Sequence, residues 1–288
     1  MRSSTRFAVL VVCIGCWISY GPPLAHAQAG AVDRQFDRGA GMPTSMFGSY
    51  IREGELLVYP FYEHYRDRNL EYKPEELGYG SGQDFRGSFR AHEGILLVSY
   101  GLTDRLALEF EAAVITARFE KAADDLSGTP AVIEESGTGD VEGQIRLRVL
   151  DETERRPELF TYLEAVSPQQ KDKLFISTPD WEFKGGVGVI RGTRVGTFTA
   201  RAGAEYLLDG QSWDLGEYAL EYLKRVSPAW RLYGGFEGAQ DELSLVTEAQ
   251  WHFADFAYLK LNNAFGLTAK ATDWAPEVGI MVSHFPGR

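Results

Sequence analysis

Charged side chains recur at every second position of several apolar segments, and they are the residues of this sequence that could do chemistry. The candidates share one parity within their segments: Glu109, Glu111, Glu142, Gln144, Arg146, Arg148, Glu217, Glu221 and Glu248. Because alternate residues of a strand share a face, these side chains would place both signs of charge close together. Such a face could select ions or polar solutes by its electrostatic field. Alternatively, the charges pair across neighbouring strands and only fill an interior.

Signals for catalysis or metal binding are weak. The histidines beyond residue 27 are His64, His92, His252 and His284, and no two have the short spacing that places two ligands on one element. The sequence contains no G-x-S-x-G elbow and no P-loop. Ser283 and His284 are adjacent, but neighbouring strand residues point to opposite faces, which makes an enzyme acting on lipids the weaker alternative. We therefore predict no metal, no cofactor and no enzymatic activity.

The first residues have the layout of a secretory signal. Two arginines precede an apolar stretch over residues 7–20, and an Ala-x-Ala site ends at Ala27. The stretch is shorter than the ~20 residues that a membrane-spanning helix needs. We predict a signal peptide over residues 1–27 that is cleaved near Ala27. Both cysteines, Cys13 and Cys16, lie within it, so cleavage would leave no disulfide or thiolate chemistry.

Overall charge excludes one class of partner. The formal net charge is -12, and nucleic-acid binding needs a basic surface that displaces counterions from phosphates, so no nucleic-acid partner is expected. The hydrophobic content of 44% suits a soluble protein, and it also suits a barrel in which only alternate residues meet lipid.

The strand pattern distinguishes these two classes by its length. After Gly139 and Asp140, apolar residues from Val141 to Val149 alternate with charged or amide ones. Several such segments reach the about 9–11 residues of a tilted membrane-spanning strand, which exceeds the about 5–6 usual in soluble sheets. About twelve of them begin near Glu55, Phe85, Arg105, Asp140, Glu158, Trp181, Thr197, Trp213, Trp230, Glu242, Phe256 and Trp274. The pattern predicts an all-β, antiparallel transmembrane β-barrel of about 12 strands over residues 55–288.

The connections between these segments alternate in length. Tight links at 101–104, 227–228 and 254–255 alternate with long polar ones at 67–84, 120–136 and 168–180. Short periplasmic turns and longer external loops are typical of outer-membrane barrels. Residues 28–54 are polar and glycine-rich, and we predict that they form a polar leader or a small plug near the barrel mouth.

Three stretches resemble a known family. They are the run from Tyr100 to Glu109 (YGLTDRLALE), the Ser-Gly-Thr-Gly-Asp turn at residues 136–140, and Phe-Gly-Leu-Thr at residues 265–268 with a following Asp-Trp. They resemble the outer-membrane "MetA-pathway of phenol degradation" proteins and related transporter-like barrels. The chain departs from that family at residues 166–169, which read Val-Ser-Pro-Gln, and at its end, which lacks a terminal aromatic.

The resemblance implies an outer-membrane location and a role in passing hydrophobic or aromatic compounds, and it supplies no catalytic residues. We accordingly predict a channel or transport-associated protein for small solutes. Its expected partners are outer-membrane lipid, a small-molecule solute and, during biogenesis, the outer-membrane assembly machinery. The alternatives are a barrel enzyme acting on lipids and a structural or adhesive surface protein whose external loops carry the function.

Overall fold

Twelve long strands dominate the computed structural model, which describes residues 37–45, 48–80 and 82–286. The predicted signal peptide, residues 1–27, and the first part of the predicted leader, residues 28–36, lie outside the described residues. The strands are β1 (Met42–Pro43), β2 (Tyr50–Ile51), β3 (Leu56–Tyr72), β4 (Phe85–Thr103), β5 (Leu106–Lys121), β6 (Val132–Leu150), β7 (Glu158–Ser167), β8 (Glu182–Gly192), β9 (Thr197–Leu207), β10 (Ser212–Arg225), β11 (Trp230–Ala239), β12 (Glu242–Ala254), β13 (Ala257–Gly266) and β14 (Ala275–His284). Within these ranges no helix is long and apolar enough to cross a membrane.

Strands β3 to β14 form one closed barrel in which each strand pairs antiparallel with its neighbours in sequence. The barrel closes where β14 pairs with β3, from Glu277 opposite Glu63 to His284 opposite Leu56. The predicted all-β, antiparallel barrel of twelve strands is therefore confirmed. The short β1 and β2 pair only with each other.

The predicted start of one strand is wrong. Strand β6 begins at Val132 rather than near Asp140, so the predicted loop over residues 120–136 is shortened to residues 122–131. The glycine-rich stretch is a bulge within that strand, because Ala112 pairs with Val141 while Val114 pairs with Thr138. A bulge inserts an extra residue on one strand and locally bends it.

Apolar side chains cover the outside of the barrel. On β12, Trp251 and Phe253 are 44% and 48% exposed, whereas the alternating Glu248, Gln250 and His252 are buried. Phe110, Leu163 and Trp213 are likewise exposed on other strands. A soluble protein buries its apolar face, so this inverted distribution indicates strands whose outer surface contacts lipid.

The interior contains three zones. Aromatic residues lie toward the long connections, charged residues occupy the middle, and the N-terminal segment, defined as residues 37–45 and 48–51, enters from the end with the short turns. The charged zone and this segment together form the candidate site.

Candidate functional site

One charge cluster of the interior is centred on Arg201 of β9. Its guanidinium forms ion pairs with Glu217 and Glu221 of β10 and with Glu237 of β11, the last two at 3.2 and 3.6 Å. The Arg201 side chain is only 7% exposed. Three carboxylates around one cation give this part of the barrel an excess of negative charge.

Smaller clusters of the same kind follow around the barrel wall. The ammonium of Lys260 on β13 lies 3.1 Å from Glu248 and 3.5 Å from Glu277, and all three side chains are fully buried. On the opposite side, Lys184 of β8 lies 3.0 Å from Glu164 of β7. Buried ions need such partners, because an unpaired charge away from water is costly.

Arg146 of β6 is a further interior residue that combines charge with aromatic contact. The Arg146 guanidinium lies 3.8 Å from Glu109 and 5.2 Å from the ring centroids of both Phe160 and Tyr162. A cation over an aromatic face gains a favourable interaction with the ring. Arg146 therefore bridges β5, β6 and β7 inside the barrel.

The structure places every predicted site residue on the inward parity of its strand. Those that are buried are Glu109, Gln144, Arg146, Glu221 and Glu248, and those that are half-buried are Glu111, Glu142, Arg148 and Glu217. Gln144 contacts Arg146, and Glu248 lies in a separate cluster with Lys260. In this conformation the charges pair across strands, and their role as pore-lining residues of an open channel stays a prediction.

The sequence analysis missed the cations at the centres of these clusters. Lys184, Arg201 and Lys260 are inward residues of β8, β9 and β13. It also missed the acidic row of Glu277, Glu63 and Glu93, which lie in register across β14, β3 and β4. Alternation within each strand is the signal that could have found them, since every one has the buried parity.

The N-terminal segment bonds directly to the predicted site residues. The main-chain amide of Ser45 donates to both carboxylate oxygens of Glu109, at 3.0 and 2.9 Å. Arg146 donates to the carbonyl oxygen of Thr44, and Arg148 donates to that of Gly41. The segment therefore occupies hydrogen-bonding groups that would otherwise face the interior.

Its first described residues fix the segment to the end of the barrel with the short turns. Arg38 forms ion pairs of 3.1 Å with Glu152 and 3.0 Å with Glu158, and all three side chains are at most 3% exposed. Burial alone would lower the pKa of Arg38, but Tyr50, Glu158 and Glu152 more than offset it and raise that pKa above its ordinary value. Burial also raises the pKa of the Glu152 carboxyl, despite Arg38. Asp37 adds an ion pair to Lys224 at 3.3 Å.

Apolar contacts and a tight turn complete the fit of the segment. Met42 and Ile51 are fully buried, and Tyr50 packs with Phe160 and other buried residues of the wall. Gly41 has a φ of +106°, and a Cβ there would lie 2.3 Å from the carbonyl oxygen of Ile51. Only glycine fits this backbone without strain.

Little free volume lies between the segment and the charge clusters. A cavity of about 40 Å³ is lined by Ser45, Glu109, Arg146 and neighbouring side chains. This volume holds roughly three water molecules and no organic solute.

At the opposite mouth, the connection over residues 168–181 folds against the inner wall of the barrel. The carboxylate of Glu135 accepts hydrogen bonds from the amides of Leu174 and Phe175, at 2.9 and 2.8 Å. Asp140 accepts another from the Thr178 amide at 2.6 Å. The ring of Phe175 stacks on that of Phe119 with centroids 5.5 Å apart. These contacts hold the ring of Phe175 beside Phe119 and Phe89 at this mouth.

The geometry does not favour hydrolytic or metal chemistry. Ser283 faces inward and donates to Glu55, whereas His284 is exposed on the other face of β14. The structure therefore does not bring this pair together. Within residues 37–45, 48–80 and 82–286, no group of three or more His, Cys, Asp or Glu side chains could hold a metal ion.

Comparison with solved structures finds other proteins to which this chain is similar. The COG4313 outer membrane channel from Pseudomonas putida F1 matches with a TM-score of 0.59 and 15% identity, over 81% of this chain and 97% of that chain. Two other structures are more distant. The translocator domain of the autotransporter NalP from Neisseria meningitidis has a TM-score of 0.48 and 11% identity, over 80% of this chain and 88% of that chain. The toluene transporter TbuX from Ralstonia pickettii has a TM-score of 0.41 and 9% identity, over 81% of this chain and 89% of that chain. No protein-family model and no curated protein matches the sequence, so the resemblance to the phenol-degradation family stays a prediction. The first likeness shows that this chain has the fold of an outer-membrane channel barrel.

Proposed function

We propose that this protein is an outer-membrane channel for small solutes, closed by its N-terminal segment and opened when that segment leaves the interior. The observation that carries the proposal is how the segment is held. Ion pairs of Arg38 and main-chain hydrogen bonds to Glu109, Arg146 and Arg148 attach it to a closed barrel. Water can replace such contacts, whereas it cannot replace the packing of an apolar core.

The size of the barrel supports this proposal. Eight-stranded barrels are filled by their own side chains, and barrels of about 16 strands leave an aqueous channel. Twelve strands give an intermediate interior, in which a segment from the same chain supplies much of the filling. Its departure would leave a passage lined by charged groups that hydrate readily.

The charge of the wall points to a preference for cations. Arg201 faces three carboxylates, and Lys260 faces two. Rings of acidic side chains favour cations in channels. We therefore expect the open state to be cation-selective.

The proposal also covers the solute that passes and the membrane in which the protein lies. We infer that small aromatic solutes are among those admitted, because the mouth with the long connections is lined by Phe89, Phe119 and Phe175. Residues 1–27 would act as the signal for export, outer-membrane lipid would surround the barrel, and the outer-membrane assembly machinery would insert it.

Conductance in planar bilayers tests the channel. The protein beginning at Gln28 is compared with a variant that lacks residues 37–51, and a shift in gel mobility between unheated and boiled samples checks that both are folded. We expect rare openings in the intact protein, larger and longer openings in the variant, and a reversal potential in a KCl gradient that indicates cation selectivity. Two folded proteins that both pass no ions would refute the proposal.

A further inference from the structure

Three arginines lie side by side on the outer surface of the barrel. Arg66 of β3 pairs in register with Arg90 of β4, and Arg90 pairs with Arg118 of β5. We call these three residues the arginine row. All have the outward parity, with the side chains of Arg90 and Arg118 57% and 33% exposed. At about 4.8 Å between strands, the row spans roughly 10 Å, and like charges directly opposite each other repel.

Nearby acidic groups neutralise the row only in part. Arg118 forms ion pairs with Glu120 and Glu134, and Arg90 lies 3.7 Å from Glu120. Arg66 has no ion pair in the part of the chain that the structure describes. The row borders a groove of about 350 Å³ that Arg68, His64, His92, Asp67 and Glu120 also line. With Glu134 counted, four arginines face three acids, so the patch keeps a positive excess on a chain whose net charge is -12.

The row lies directly above the apolar belt. Two residues further down each strand, His64, His92 and Thr116 form the next outward row, and apolar side chains such as Leu96 and Val114 follow, at 47% and 64% exposure. Arg90 precedes Thr103, the end of β4 at a short turn, by thirteen positions. That separation is roughly 44 Å along the strand and about 33 Å of height at a tilt of roughly 40°, which exceeds the about 25 Å apolar band. The arginines therefore lie at head-group level, on the side with the long connections.

We propose that the arginine row binds the phosphates of a phosphorylated glycolipid in the outer leaflet, whose acyl chains cover the apolar surface below. This inference rests on the outer-membrane location given under the proposed function. A guanidinium binds phosphate through two parallel hydrogen bonds, and it stays charged at any physiological pH. A row of about 10 Å suits an extended head group with more than one phosphate, and the outer leaflet of this membrane is built of such lipids.

Binding of diphosphoryl lipid A to the purified full-length barrel in detergent tests the proposal, with native mass spectrometry as the readout. We expect the double variant R66Q/R90Q to lose at least about tenfold in affinity, since each arginine contributes charge-assisted hydrogen bonds. Added salt weakens binding, because the site is exposed. R105Q is the matched control, since Arg105 is an exposed arginine at the opposite end of the barrel, where it pairs with Asp151. Lipid A stripped of its phosphates is expected to bind as weakly to the intact protein as lipid A does to R66Q/R90Q.

Three outcomes would overturn the proposal. The first is that R66Q/R90Q, shown by gel mobility to be folded, binds lipid A as tightly as the intact protein does. Another is equal occupancy by phosphatidylglycerol, which would show a general anionic-lipid surface. The third is inorganic phosphate displacing lipid A at equal concentration, which would show a simple anion site. Because the row faces outward, R66Q/R90Q is expected to conduct like the intact protein, so failure of lipid binding and failure of the channel proposal are separately observable.

Discussion

Replacing Arg38 with glutamine is expected to shift the barrel toward its open state. Arg38 is the buried cation between Glu152 and Glu158, at 3.1 and 3.0 Å. Glutamine keeps a polar side chain, which is shorter than that of arginine, and removes the charge. In the closed state of R38Q, both carboxylates stay buried and lose their main partner. In the open state, water hydrates them, so the loss falls on the closed state.

The structure sets the size of this effect. Removing one partner of a buried ion pair typically costs about 3–5 kcal/mol. Arg148 remains 3.4 Å from Glu158, and Arg191 remains 3.5 Å from Glu152, so partial compensation favours the lower end of that range. A cost of about 3 kcal/mol raises the ratio of open to closed states by roughly 150-fold.

Single-channel recording in planar bilayers measures this ratio as the open probability. R105Q is the matched control, because Arg105 and Asp151 form an exposed pair at the same end of the barrel, 51% and 46% exposed. Such pairs contribute at most about 1 kcal/mol, so R105Q should change the ratio less than about sixfold. If folded R38Q has the same open probability as R105Q and the unchanged protein, the ion pairs of Arg38 do not hold the segment.

Three further changes test separate parts of the structure. Burial raises the pKa of the Glu152 carboxyl in the closed state above its ordinary value of 4.5. Between these two pKa values, Glu152 holds a proton in the closed state and has released it in the open state. The closed state therefore loses stability as pH rises through this range. Open probability should therefore rise with pH in the intact protein and stay flatter in E152Q, and equal slopes would contradict this. G188A is expected to destabilise the barrel by about 1–3 kcal/mol, because the added Cβ would lie 2.2 Å from the Phe160 ring. G94A is the control, since its added Cβ would have no atom within 4 Å. Equal temperatures for the unfolding gel shift of the two variants would contradict this packing. E135A is expected to speed hydrogen exchange at the amides of Leu174 and Phe175, which lose their carboxylate acceptor, while E134A leaves both protected; equal exchange in the two variants would show that Glu135 does not hold this connection.

Most of the barrel could be predicted because its signals are local. Each strand alternates apolar and polar residues, and turn residues separate one strand from the next. The predicted starts near Phe85, Glu158, Thr197, Trp230 and Glu242 coincide with the first residues of β4, β7, β9, β11 and β12. Alternation also distinguishes the two faces, because lipid outside and charge inside impose opposite preferences on neighbouring positions.

The start of β6 could not be predicted from composition. Gly137 and Gly139 suit a tight turn, and they equally suit a bulge within a long strand. The pairing of Glu120 with Val132 across β5 and β6 decides between them, and that pairing depends on register rather than on the local sequence.

Which charged residues pair within the site could not be predicted from the local sequence, for the same reason. Alternation places Glu217 and Glu221 on the inner face of their strand. Only the pairing of neighbouring strands in the barrel brings both next to Arg201. The contact between Arg38 and Glu158 joins positions 120 apart in sequence. No periodicity marks such a pair, so the fit of the N-terminal segment emerges only from the closed structure.

In the proposed channel, a segment that can leave the barrel needs a charged interior, and a charged interior is also what lets ions and water enter once the segment has left. An apolar interior would hold an apolar segment too firmly to release it, and without that segment it would exclude water and ions. Here the carboxylate of Glu109 and the guanidinium groups of Arg146 and Arg148 bond to main-chain groups of the segment. Each such bond contributes about 0.5–3 kcal/mol net, because water offers a nearly equivalent partner after release. The buried Met42 and Ile51 set the remaining cost of opening, since water cannot replace their contacts. In the proposed channel, the same polar side chains thus keep the barrel closed and line it once it opens.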